Sequence, residues 1–306
     1  MLSSDDYDFP IERTLIRRFA EAAWDSNPLY FQRSATGECS FPPAYLCAAA
    51  TICGRQNSLV GLGFDVSRAF HGSETVEVYA PIAYESVLRV HDQTEMLEDV
   101  VGRRAGVMRQ AQRTSTFTNA AGKVVARTSR ILLESTVSLT PVPPTSDVKV
   151  FDDGLNIRPD PLEPQSDVMH SHGVNSILPG ASFGPLTRAD FIRYAAASGD
   201  LTAIHFDEEA ALSRGYPTIF AMGMLSGAFI GHVLSDGIPL KTPWRLTLRF
   251  ADLLWPGETL AVTGKVLSSD AENTVVTLMA NVGKRLVTTA TFESGFHVNS
   301  GAESQL

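Results

Sequence analysis

Residues 218–237 read TIFAMGMLSGAFIGHVLSDG, opened by Pro217, and the reading of this stretch decides the fold. From Tyr216 to Leu234 it carries no formal charge, so a helix here has to be enclosed on nearly every side. The run only reaches the lower end of a membrane span, and its small residues and the bounding Gly237 suit a buried core helix. The following residues supply the enclosure. Trp244, Leu246, Leu248 and Phe250 alternate with Arg245, Thr247 and Arg249, the period-two pattern of a half-buried strand. Pro256-Gly257 marks a turn, Thr259–Val266 and Thr274–Asn281 read as strands, and Val282-Gly283-Lys284 reads as a hairpin into a strand over Arg285–Glu293. A long buried helix followed by antiparallel strands is an α+β pattern in which a sheet curls around a helix.

Upstream, Thr187-Arg-Ala-Asp190 has the form of a capping box, and Phe191, Tyr194, Ala195 and Ser198 follow at helical spacing until Gly199 stops the turn. Asp200 therefore lies just past a helix end, in SGDLTAIHFD (residues 198–207), with His205 five positions on. A carboxylate and an imidazole so placed can bracket one water, the first accepting a proton while the second holds and relays the other. The spacing alone favours the plainer reading, an Asp that caps a loop and a His satisfied by backbone, because Asp-x4-His is a common accident. Gly223, near the start of the uncharged helix, offers free N–H groups and the positive end of the helix dipole to a developing oxyanion. Close helix packing is the other reading of a glycine there.

The same unit is written twice. An offset of 175 residues sets Phe19 on Tyr194, Asp25 on Asp200, Tyr30 on His205, Phe31 on Phe206, Pro42 on Pro217 and Ala48 on Gly223. First-half strands are expected at Val76–Val90, Arg109–Thr118 and Lys123–Glu134, the last two joined by a turn at Asn119–Gly122. A repeat of this length implies a duplicated domain. The six prolines within residues 141–164 resist helix and sheet alike, so the expected division is 1–140, a linker at 141–164, and 165–306. A phenol at Tyr30, with an unperturbed pKa near 10, relays protons poorly at neutral pH, so the first half keeps shape and loses chemistry.

Bulk properties narrow the class. The 306 residues are 44% hydrophobic and 19% charged, as in a globular protein, and the net charge of −9 speaks against a general nucleic-acid binder. Cys39, Cys47 and Cys53 read as buried reduced thiols, and the acidic residues 1–14 carry no apolar signal region, so a cytoplasmic location is expected. Gly61-Leu-Gly63 is too short for a nucleotide loop, and His170-Ser-His172 reads as a solvated loop rather than a metal site. Arg245 and Arg249 either meet phosphates of the substrate or form a solvated face.

The combination Tyr194-x3-Ser198-Gly-Asp200-x4-His205-x-Asp207, then Pro217 and Gly223-Met224-Leu225, resembles the MaoC-like (R)-specific enoyl-CoA hydratases, or hydratase 2, of the hot-dog fold. The likeness is close over residues 186–237 and loose over the whole chain, because the family includes double hot-dog proteins whose first half resembles the FAS1-like dehydratase domain. It implies two hot-dog domains forming a pseudo-dimer, with a non-catalytic, acyl-binding first half that widens the tunnel for a long or bulky acyl group. It further implies that Asp200 and His205 activate a water and that the Gly223 amide binds the thioester oxygen. The reaction would be reversible hydration of a trans-2-enoyl thioester, on coenzyme A or an acyl carrier protein, to the (3R)-3-hydroxyacyl form, with no metal or redox cofactor. Tyr194, Thr202, Met222 and Met224 are the expected substrate-binding residues.

Three positions depart from the family pattern. Thr202-Ala203 replaces Asn-Pro, Met222 replaces the His of His-Gly-Met, and Gly231 stands where some members have serine. An acyl-CoA thioesterase and a non-catalytic acyl-thioester-binding subunit are the alternative readings. Neither a nucleic acid nor a membrane is expected as partner, and a homodimer is left open.

Overall fold

A computed structural model describes residues 2–31, 37–54, 62–65, 68–102, 106–135, 173–270 and 272–296. In the first half these form β1 (Leu2–Pro10), α1 (Arg13–Ala22), a 3-10 turn at Pro28–Tyr30, a second at Tyr45–Ala48 running into α2 (Ala49–Ile52), then β2 (Ala69–Val78), β3 (Val87–Gly102), β4 (Gly106–Thr118) and β5 (Val124–Ser135). The second half gives β6 (Ile177–Phe183), α3 (Arg188–Ser198), a 3-10 turn at Ala203–His205, α4 (Glu208–Ser213), α5 (Gly223–Gly237), β7 (Trp244–Phe250), β8 (Leu260–Ser269), β9 (Thr274–Val282) and β10 (Arg285–Ser294).

Ten strands share one sheet in the order β1-β3-β4-β5-β2-β7-β10-β9-β8-β6, every neighbouring pair antiparallel. Each half contributes five strands in the same internal order, and the two sets meet where β2 pairs with β7 from Ser73↔Arg249 to Val78↔Trp244. The alternation in WRLTLRF has its expected cause: Trp244, Leu246 and Leu248 are buried while Arg249 faces solvent. α5 lies on this surface, contacting β6, β8, β9 and β10, with ten of its residues buried. The uncharged run therefore is core, and among the described residues no helix is long and apolar enough to cross a membrane.

Several local expectations hold. Thr187 and Asp190 form a reciprocal capping box on α3, and Gly199 ends it in the left-handed region at φ 71°. A side chain at Gly199 would also meet the Thr51 backbone at 2.9 Å, so glycine is required twice over. The Asn119 side chain accepts from the amides of Ala121 and Lys123 in the β4–β5 turn. All three cysteines are free thiols, but only Cys47 is buried, Cys39 and Cys53 being partly exposed.

Others need correction. The strand expected over Val76–Val90 is the end of β2 and the start of β3, separated by residues 79–86, where Pro81 supplies no amide. The edge strands β1 and β6 were not anticipated. α5 begins at Gly223, six residues beyond Pro217, and the described first-half counterpart is only a 3-10 turn and one turn of α-helix. The 3-10 turn begins at Tyr45 and α2 at Ala49, with Ala48 as its N-cap, so the unbroken offset sets Gly223 one residue before the first-half α-helix. The expected linker at 141–164, the pair His170 and His172, and Gly61 lie outside the described residues.

Candidate active site

The loop after α3 is shaped by its own polar groups. Asp200 Oδ1 accepts from Thr202 Oγ1 at 2.6 Å and from the Thr202 amide at 3.3 Å, closing a tight turn. A 3-10 turn then carries Ala203–His205, and Asp207 caps α4 through the Ala210 amide at 3.1 Å. The same 3-10 turn occupies Pro28–Tyr30, so Thr202-Ala203 folds as Asn27-Pro28 does without a proline to fix it.

His205 is buried, and its Nδ1–H donates to the Phe220 carbonyl at 2.8 Å. In the neutral ring this leaves the lone pair on Nε2. The Phe220 ring meets the imidazole edge-on at 5.0 Å between centroids. Burial pushes the imidazole below its ordinary pKa, against a smaller opposing pull from the Asp200 charge and the Phe220 carbonyl. The tether also brings His205 to a segment three residues from Gly223. Gly223 is the first residue of α5, where amides have no intrahelical acceptor, and a Cβ there would stand 3.3 Å from the Phe250 ring.

The expected substrate-binding residues are placed unequally. Met222, the N-cap of α5, and Met224 are buried beside Gly223. Thr202 is exposed and bonded to Asp200. Tyr194 is buried with its ring 5.5 Å from Phe19, on the contact between α1 and α3. Arg245 is committed elsewhere: it bonds Glu77 at 2.7 Å and Glu293 at 3.1 Å and stacks on Phe296. A phosphate role for it is thereby set aside in favour of a structural one across the β2–β7 seam.

Sequence reasoning missed a polar set that the first half brings to this region. Arg130 Nε donates to Glu74 Oε2 at 2.7 Å, and His71 Nε2 lies 3.0 Å from the same oxygen. Burial pushes the Glu74 carboxyl up, but Arg130 and His71 together outweigh it and hold it at about 2. The His71 ring lies 4.6 Å from that of Phe250, the same ring that faces Gly223. The Asp200 charge reaches both His71 and Arg130. No sequence signal marks these residues, because β2–β5 pairing sets Glu74 opposite Arg130 across 56 positions.

The position equivalent to Asp200–His205 in the first half is closed. Asp25 is buried, Oδ1 accepts from the Asn27 amide at 3.1 Å, and burial pushes the carboxyl up to about 6. Tyr30 is fully enclosed, its phenol pushed well above its ordinary value by the same cause. His232 and Asp236 of α5 come to this place, their side chains 3.1 Å apart.

Residues 2–128 match the family model described as the FAS1-like, dehydratase domain region, and residues 181–289 match that of the MaoC like domain. The chain joins a FAS1-like dehydratase region to a MaoC-like domain. Asp200, His205 and Gly223 all fall inside the MaoC-like part, and Asp25 and Tyr30 in the FAS1-like part. Among solved structures, a MaoC-like dehydratase superposes with a TM-score of 0.72 at 21% identity, over 97% of this chain and 98% of that one. HtdX of Mycobacterium tuberculosis gives a TM-score of 0.59 at 18% identity, over 95% and 99%. A second Mycobacterium tuberculosis protein, described as having a double hotdog fold, gives 0.60 at 12% identity, over 95% of each chain. At these identities the likeness concerns the fold, which is the double hot-dog. No curated protein matches.

Proposed function

We propose that the MaoC-like domain is a hydro-lyase that hydrates trans-2-enoyl thioesters, on coenzyme A or a carrier protein, to (3R)-3-hydroxyacyl thioesters, and catalyses the reverse dehydration. The observation that carries the reading is the His205 Nδ1–H bond to Phe220, which fixes the tautomer and ties the imidazole to the segment leading to Gly223. A water between the Asp200 carboxylate and His205 Nε2 attacks C3 of the enoyl group. One proton leaves the attacking oxygen as the C–O bond forms, and one proton reaches C2. A neutral His205 supplies that proton only after receiving it, so Asp200, as base, and His205, as the group that positions the water and relays the proton, work as a pair. The amide at Gly223 holds the thioester oxygen as it gains enolate charge.

In this reading the halves form an internal pseudo-dimer divided at 1–140, a linker at 141–164, and 165–306. The first half is non-catalytic: it enlarges the acyl site and supplies the His71–Glu74–Arg130 set beside Asp200. Loss of absorbance from enoyl-CoAs of increasing length and bulk tests the proposal. Purified protein should consume the enoyl group without releasing thiol, and Asp200→Asn and His205→Ala should each lower kcat by at least a hundredfold. Thiol release, or full activity in either variant, would overturn it.

A further inference from the structure

The closed first-half position holds a buried carboxylate with one oxygen unpaired. Asp25 is 2% exposed, and its Oδ2 has no hydrogen-bond partner among the described residues. A buried carboxylate oxygen left unpaired is costly, and a bound cation would relieve it. His232 and Asp236 approach it from the other half of the chain, one helical turn apart on α5, so both side chains leave the same face. His232 Nδ1 likewise has no partner among the described residues. One ligand atom from each of Asp25, His232 and Asp236 lies within 4.8 Å of the others, and the His232–Asp236 separation is 3.1 Å. Ligands at about 2.1 Å around a tetrahedral zinc stand roughly 3.4 Å apart, so a modest side-chain rotation completes the set.

Independently of these three, the Tyr30 hydroxyl is fully buried without a partner among the described residues, in electrostatic reach of both Asp25 and Asp236. It stands where the active half has its histidine. Tyr30 and Ser235 also line a cavity of about 410 Å³.

We propose that Asp25, His232 and Asp236 form a divalent transition-metal site, zinc being the best match to one imidazole and two carboxylates, with water or the Tyr30 hydroxyl as fourth ligand. The ion would staple α5 of the MaoC-like half to the loop after α1 in the FAS1-like half. It takes no part in hydration at Asp200, and the inference stands whether or not that reading holds.

The test uses the full chain, freed of metal with a chelator and titrated with Zn2+ alone by calorimetry, with Mg2+ as comparison. Zn2+ should bind saturably at one equivalent and raise Tm, and Mg2+ should bind far more weakly. Asp25→Asn and Asp236→Asn should each weaken Zn2+ binding at least tenfold. The Asp236 side chain is 51% exposed, so that variant folds and keeps the test decisive even where Asp25→Asn does not. His170→Ala/His172→Ala and Asp200→Asn should bind as the native chain does. Absence of saturable Zn2+ binding, unchanged binding in Asp236→Asn, or its loss in the His170/His172 variant would overturn the proposal.

Discussion

Phe19 and Tyr194, equivalent positions of the two halves, pack against each other with ring centroids 5.5 Å apart. Both are at most 1% exposed, and α1 and α3 contact each other here. The repeat therefore closes on itself: each half covers the other's helix, and neither has this surface buried alone. Truncating a buried aromatic typically costs about 3–5 kcal/mol. Phe19→Ala should lower stability by about that much in chemical denaturation, through a single transition for both halves. Two separate transitions, with only one shifted, would show that the halves fold independently.

What the sequence made legible follows the range of the interactions involved. Thr187, Asp190, Gly199 and the Asp200–His205 loop are readable because each is satisfied within a few residues. α5 is readable because its lack of charge leaves no solvent face. β1 and β6 escape because edge strands depend on one neighbour: Tyr7 and Phe9 are buried in an otherwise acidic stretch, and a register shift in β6 breaks the alternation between Leu178 and Ala181. The Glu74–Arg130 pair exists only through sheet register.

That pair makes a specific demand. Glu74 is 1% exposed and its partner Arg130 is mostly buried, so removing one charge strands the other. Glu74→Gln should cost about 3–5 kcal/mol, the usual price of breaking a buried pair. Arg130→Lys, which keeps the charge and loses the planar fork, should cost less. Urea denaturation of both variants checks the order; equal losses would mean that geometry at Glu74 matters as much as charge.

Acid should weaken the fold through two groups of known sign. His205 titrates below 6.5 when folded, so as pH falls below about 6.5 the unfolded chain takes up the proton first and stability drops. Glu74 is held at about 2, so its contribution is complete above the unfolded carboxyl's pKa and is lost progressively as pH falls toward 2. Denaturation midpoints should decline from pH 4 toward pH 2 as Glu74 is protonated; between pH 7 and pH 4 the Asp25 carboxyl, held up to about 6 by burial, takes up its proton first in the folded state and offsets the His205 loss. The acid limb of kcat/KM for enoyl-CoA hydration should lie below pH 6.5, because the relay needs the neutral imidazole. An acid limb above 6.5 would mean that the group titrated in catalysis is not the depressed imidazole of His205.

Gly223 separates the two readings of a glycine at this helix start. A methyl group at residue 223 would stand 3.3 Å from the Phe250 ring, tight enough to require a shift of a few tenths of an ångström in a side chain that also meets His71. If Gly223 serves only packing, Gly223→Ala should lower Tm and leave kcat near the native value. If its amide holds the thioester oxygen, the shift that the methyl group forces against Phe250 moves that amide. Misplacement on this scale costs on the order of tenfold to a hundredfold in rate. The expected outcome is the second: a loss of that size in kcat, with Tm lowered by no more than a few degrees. Steady-state hydration kinetics beside a thermal melt of the same variant decide the matter, since only a site role moves kcat while the fold persists.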